Sequence, residues 1–119
     1  MSDLIDPEEL MHQLDKELSH VWMVRTFLKH SEEAEEDDEL QEVHRGLYDY
    51  MLALGPPFRD GDHAKYLKQA RKKLKKLIAT KELFLEIQPE ISSHTNFQMA
   101  AQSLRISVDK ISSWLESPQ

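Results

Sequence analysis

Apolar side chains recur at alternating spacings of three and four along almost the whole chain, and that period restricts the fold more than any other feature. Leu14, Val21 and Leu28 repeat every seven residues, flanked by Leu10, Leu18 and Val24, so one wide apolar stripe runs down a single helix face. Leu40, Val43, Leu47, Tyr50 and Leu54 form a second stripe. A third carries Leu67, Ala70, Leu74, Leu77, Ile78, Phe84 and Leu85, and a fourth Phe97, Ala101, Leu104, Val108, Ile111 and Leu115. A half-buried strand needs a period of two, and no such alternation bounded by turns is present, nor is any internal repeat. Only 3 Gly and 5 Pro occur in 119 residues, too few turn-formers for a sandwich or barrel. The stripes predict an all-α, single-domain protein, long enough to bury roughly two thirds of its unfolded surface without staples.

Start and stop signals divide the stripes into four helices. Asp6-Pro7-Glu8-Glu9 offers an N-cap, a proline at the first helical position and a capping-box Glu, with Ile5 and Leu10 placed as a hydrophobic staple. Ser31 before Glu32 and Glu33 caps the second helix, and Gly55-Pro56-Pro57 stops it with a left-handed glycine and two prolines. Asp60 or Asp62 caps the third helix and Pro89 ends it. Thr95-Asn96-Phe97-Gln98 fits a capping box for the fourth, which frays at Ser117-Pro118-Gln119. The predicted helices span about 7–30, 32–54, 62–87 and 95–116. Short connections between helices of similar length favour antiparallel neighbours, hence an up-down-up-down four-helix bundle.

Composition removes several function classes. Without Cys there is no disulfide framework, thiolate metal site or thiol nucleophile. The three glycines, Gly46, Gly55 and Gly61, form no phosphate loop, and no nucleophile elbow or His-Glu-x-x-His is present. No cofactor is expected. No apolar run approaches the ~20 residues of a membrane span, and Met1 to Asp6 lack the basic and apolar regions of a secretory signal, so the expected compartment is the cytoplasm.

Charge is divided unevenly within a total of 15 Lys plus Arg against 22 Asp plus Glu. Residues 32–42 hold eight acids and no base, and residues 65–81 hold eight bases and no acid. In a hairpin turning near Phe58 the acidic stretch lies opposite Lys72 to Lys81, where the runs neutralise each other and fix helix register. The alternative is a polyanion site, with the basic helix 62–87 contacting nucleic-acid phosphates.

Met99-Ala100-Ala101-Gln102-Ser103-Leu104-Arg105-Ile106-Ser107-Val108-Asp109-Lys110-Ile111-Ser112-Ser113-Trp114-Leu115-Glu116 resembles the helix-turn-helix of bacterial DNA-binding proteins. Ala101, Leu104, the Ile106-Ser107 pair, Ile111 and Trp114-Leu115 stand at that pattern's positions, and Arg105 stands where the pattern has a turn glycine. The resemblance implies a turn at Arg105 and duplex binding by the C-terminal segment.

Histidines supply the remaining chemistry. Glu17-Leu18-Ser19-His20 has the Glu-x-x-His spacing of di-iron bundles, with His44 near the level of His20, but the third and fourth helices lack the repeat, and no metal is expected. In an up-down-up-down bundle Arg25, His30, His94 and Asn96 gather at one end, beside helix N-termini suited to an anion or to acid–base work. The Arg25-x-x-x-x-His30 spacing also resembles the signature of helical-bundle RNA-cleaving proteins of the HEPN class, which implies a hydrolase or RNase-like site with Arg25, His30 and His94. The bland alternative gives these residues capping roles alone.

Helix one is apolar nearly all round at Val21-Trp22-Met23-Val24-Arg25-Thr26-Phe27-Leu28, more than one core can bury. Trp22, Met23, Arg25 and Phe27 are the candidate contact residues for a second copy, giving a homodimer, or for another protein partner. The alternative is that the aromatics seal seams between helices. The function expected from the sequence is a non-catalytic interaction module working through helix one, with nucleic-acid binding and hydrolysis as the alternatives.

Overall fold

The computed structural model describes residues 5–116, all of whose regular structure is helical. Six helices are present among the described residues: α1 (Pro7–Lys29), α2 (Glu32–Glu36), α3 (Asp38–Arg59), α4 (His63–Lys72), α5 (Leu74–Ile91) and α6 (Thr95–Glu116). The expected fraying at Ser117–Gln119 falls outside the described residues.

Two of the four expected helices are each split in two, and both splits have local causes. Asp37 interrupts the acidic stretch and becomes an N-cap, its Oδ1 accepting from the Leu40 N–H at 2.9 Å. Like charges crowd that stretch and Asp is a better cap than helix-interior residue, so a second start there relieves both problems. Gln41 Nε2 donates to the Ala34 carbonyl at 2.9 Å and ties α2 back onto α3. The other split lies at Lys73, amid Arg71, Lys72, Lys75 and Lys76, where i,i+4 repulsion opposes continuation and cations complement the dipole at the end of α4.

The expected stop at Gly55-Pro56-Pro57 is also corrected, because α3 continues to Arg59 with both prolines inside it. Pro57 is buried and Phe58 packs against the core, so apolar contact carries the helix past the missing N–H groups. Gly61, at φ +68°, fills the left-handed position instead. Its N–H donates to the Phe58 carbonyl at 3.0 Å and the Asp62 N–H to Pro57 at 2.9 Å, the paired bonds of a Schellman ending. Asp62 then caps α4 through the Lys65 N–H. Likewise α5 runs through the exposed Pro89 to Ile91. Asp6 makes no side-chain cap bond, and the expected Thr95 capping box is displaced by one residue: His94 Nδ1 accepts from the Asn96 N–H at 3.0 Å. α6 is unbroken through Arg105 and no non-glycine residue among those described has positive φ, so the turn implied by the helix-turn-helix resemblance is absent.

The long helices pack antiparallel to their neighbours. α1 lies against α3 and α6, and α5 lies against the same two. His12 meets Phe58 and Trp22 meets Tyr48 across the α1–α3 seam, while Phe27 meets Phe97 and Glu17 meets Lys110 across α1–α6. α4 touches α1, α3 and α6 and closes one end. The core is formed from the sequence stripes, with Leu14, Val21, Leu28, Leu40, Leu47, Tyr66, Leu77, Phe84, Leu104 and Ile111 almost fully buried. Running α3 on to Arg59, with its corner at Gly61, shifts the α3–α5 register from that of the expected hairpin near Phe58. Gly46 faces Thr80 where the expected hairpin gives it a partner about ten residues earlier. The acidic run consequently borders Ile87, Glu90 and Ile91 rather than Lys72 to Lys81. Among the described residues no ion pair joins the two charge runs, which corrects the expected internal neutralisation.

Candidate functional site

The surface centred on α1 carries several exposed apolar side chains. Met23 is 64% exposed and Trp22 43% exposed, because the α1 stripe turns Val21, Val24 and Leu28 inward and leaves these two outside. An open groove of about 600 Å³ lies between α1 and α3, floored by Leu18, Met51, Leu54 and Phe58 and rimmed by Asp15, His20, Trp22 and Met23. On the other side of α1, a second depression is lined by Glu17, His20, Ser103 and the exposed Met99 and Ile106 of α6. His20 borders both, so the two hollows and the ridge between them form one face over α6, α1 and α3.

The four residues expected at a partner contact divide. Trp22 and Met23 belong to this face. The Arg25 guanidinium stacks between aromatic rings, 4.9 Å from the Trp22 centroid and 4.5 Å from that of Tyr48, and so stiffens the rim of the α1–α3 seam. Its Nε is buried with no hydrogen-bond partner. Phe27 lies on the other flank, edge-on to Phe97 at 5.0 Å, where it seals the α1–α6 seam. Met99, Ile106 and Tyr48 were not singled out from sequence. Met99 and Ile106 fall between the inward positions of α6, a spacing that marks them as outward apolar residues.

The proposed pocket of Arg25, His30, His94 and Asn96 is not assembled by any bond among them beyond the α6 cap. His30 is the exposed C-cap of α1, its N–H donating to Thr26, and His94 and Asn96 are linked by the cap bond already described. Arg25 is occupied by its two rings. His44 is held below the usual imidazole range by burial, then by the nearby charges of Arg25, Arg45 and Lys29. Among the described residues no trio of His, Asp or Glu converges as metal ligands would, including Glu17, His20 and His44. No described helix is long and apolar enough to cross a membrane.

Charge supplies the other feature. Lys65, Lys68, Lys72 and Lys75 are exposed at spacings of three and four on α4 and the start of α5, with no ion-pair partner among the described residues. Lys81 is the exception in its run, buried and bonded to Asp109 at 3.0 Å and Glu82 at 2.8 Å. Near the closed end, the Tyr66 hydroxyl is buried with no hydrogen-bond partner, and burial raises the Asp15 carboxyl above its ordinary range, opposed by His12. Comparison with protein-family models, with curated proteins and with solved structures finds no match for this chain.

Proposed function

We propose that the protein is a non-catalytic interaction module that self-associates through the face centred on α1. The reading takes α1, α3, α5 and α6 as an up-down-up-down four-helix scaffold, with α2 and α4 as corner segments that close its ends. The observation that carries it is the grouping of exposed Trp22, Met23, Met99 and Ile106 beside two hollows on one face. Scattered apolar side chains are ordinary on a protein surface, whereas a contiguous patch with an aromatic and methionines has the composition of an interface centre. The stacked Arg25 pre-orders Trp22, which lowers the entropy lost on docking.

A catalytic role is less well supported, since His94 is engaged in a helix cap and Arg25 in ring stacking. The test is light scattering on a sizing column over a range of micromolar concentrations. The wild-type chain is expected to be dimeric at the upper end, and Met23→Glu or Ile106→Glu to be monomeric with unchanged helicity. A wild-type monomer throughout, or a dimer indifferent to both substitutions, refutes the proposal.

A further inference from the structure

The α1–α3 seam carries a cationic patch beside the exposed apolar group. His12 meets Phe58 and Trp22 meets Tyr48 across this seam, a register that brings Arg25 level with Arg45. Lys29 follows Arg25 by one turn on the same side of α1, and His44 precedes Tyr48 by one turn on the same side of α3. No acid occurs between Glu17 and Glu32, and none between Glu42 and Asp49. Asp49 lines a separate hollow with Lys73 and Lys76, on the side of α3 that meets α5. The charges acting on His44 are those of Arg25, Arg45 and Lys29, all positive. Among the described residues none of these three cations forms an ion pair, although the chain as a whole has a net charge of -7.

Arg25 is the centre of the patch. The Trp22 and Tyr48 rings take the faces of its guanidinium, at 4.9 and 4.5 Å, which restrains its plane and leaves the N–H edge for hydrogen bonding. On that edge Nε is buried without an acceptor, a condition that costs free energy until one is supplied. Lys29 already complements the dipole at the end of α1, but neither Arg25 nor Arg45 has such a partner. A guanidinium held flat between rings suits an oxyanion, whose paired oxygens accept from its fork. Arg25 and Lys29 are one helical turn apart, about 6 Å along the axis, a span that fits one phosphate group rather than a run of them.

We propose that this patch binds a single phosphate group, as inorganic phosphate or as the head of a small soluble phosphomonoester. The Arg25 fork holds two of its oxygens, and Lys29 and Arg45 flank it as charges. His44, neutral at pH 7, adds one N–H donor and no repulsion. None of these residues belongs to the group of Trp22, Met23, Met99 and Ile106 except through the stacking on Trp22, so phosphate binding does not depend on self-association.

Isothermal titration calorimetry at low ionic strength, with inorganic phosphate and with phenyl phosphate, tests the assignment. One saturable site per chain is expected, with a Kd of about 1 mM that weakens as salt is added. Arg25→Lys keeps the charge but loses the fork, and should weaken binding about tenfold. Because Arg25 also packs in the seam, Lys29→Glu and Arg45→Glu supply variants at exposed positions, their folding checked by circular dichroism. Each should abolish measurable binding, whereas Lys68→Glu on α4 should leave it unchanged. Tighter binding of phenyl phosphate assigns the site to an organic ester whose ring reaches Trp22, and equal affinity assigns it to free phosphate.

No saturable binding of either compound up to about 20 mM overturns the proposal. Equal losses in Lys68→Glu and Lys29→Glu indicate attraction to charge in general and overturn it too. Binding confined to anionic lipid vesicles or to a nucleic-acid duplex, with neither soluble phosphate bound, has the same consequence.

Discussion

Replacing Gly46 by Ala tests the α3–α5 register directly. A Cβ built on Gly46 comes within 2.7 Å of Thr80 Oγ1 and 3.1 Å of its Cγ2, so Thr80 has to move. Thr80 is buried, and its hydroxyl donates to the Lys76 carbonyl at 2.9 Å, so rotation away strains the seam or loses that bond. Overpacking a tight contact costs about 1–3 kcal/mol, whereas Gly→Ala inside a helix favours folding by about 1 kcal/mol. The net expectation is destabilisation by about 1 kcal/mol, a fall of about 4 °C in Tm. Thr80→Ala removes the obstructing atoms, and in that background Gly46→Ala should stabilise by about 1 kcal/mol through helix propensity alone. The double-mutant cycle then has a coupling of about 2 kcal/mol with a change of sign. Urea denaturation followed by circular dichroism measures all four proteins. If Gly46→Ala stabilises the wild type, or acts equally in both backgrounds, the close approach of α3 to α5 is refuted.

Three further outcomes follow from the structure. Gly61→Ala should lower stability by about 1 kcal/mol in urea melts, because alanine resists φ +68°; an unchanged midpoint would contradict the left-handed corner. Burial alone would lower the Lys81 ammonium, but its hydrogen bonds and attraction to Glu82 and Asp109 outweigh this and raise it above its ordinary 10.5. The stabilisation is therefore present below pH 10.5 and lost as the pH rises through the higher folded value, and Asp109→Asn should flatten that alkaline loss in denaturation curves. Asp15, a carboxyl raised by burial, acts in the same direction at lower pH: its ionisation opposes folding as the pH rises above 3.8. Asp15→Asn should then stabilise slightly at neutral pH, with the gain vanishing in acid; equal effects at both extremes would argue against a burial penalty at this carboxyl.

The helical class was legible because burial selects apolar residues at helix period, and nearly every stripe position is found in the core. Caps were legible where a short polar side chain had one strong alternative, as at Ser31 and Asp62. The interruptions were not. Asp37 and Lys73 lie within periodic stretches, and what splits them is charge crowding combined with tertiary pull on α2 and α4. Pro56-Pro57 misled for the converse reason: local rules end a helix there, but burial of Pro57 and packing of Phe58 outweigh two lost hydrogen bonds. That single corner moved the register and with it the pairing of the charge runs. At the candidate site, the surplus of apolar residues on α1 marked Trp22 and Met23 as outward. The stacking of Arg25 on Tyr48 and the assignment of Phe27 to a seam depend on the neighbouring helices, which one stripe cannot specify.

Continuation of α3 through its two prolines has an electrical consequence. In a simple hairpin turning near Phe58, anionic and cationic stretches would lie side by side and their fields would largely cancel outside the protein. Turning at Gly61 keeps them apart along the 46 Å axis, so the molecule carries a large permanent dipole moment directed from the α2 end toward α4. Such a body aligns in an applied electric field and approaches any charged surface with one end leading.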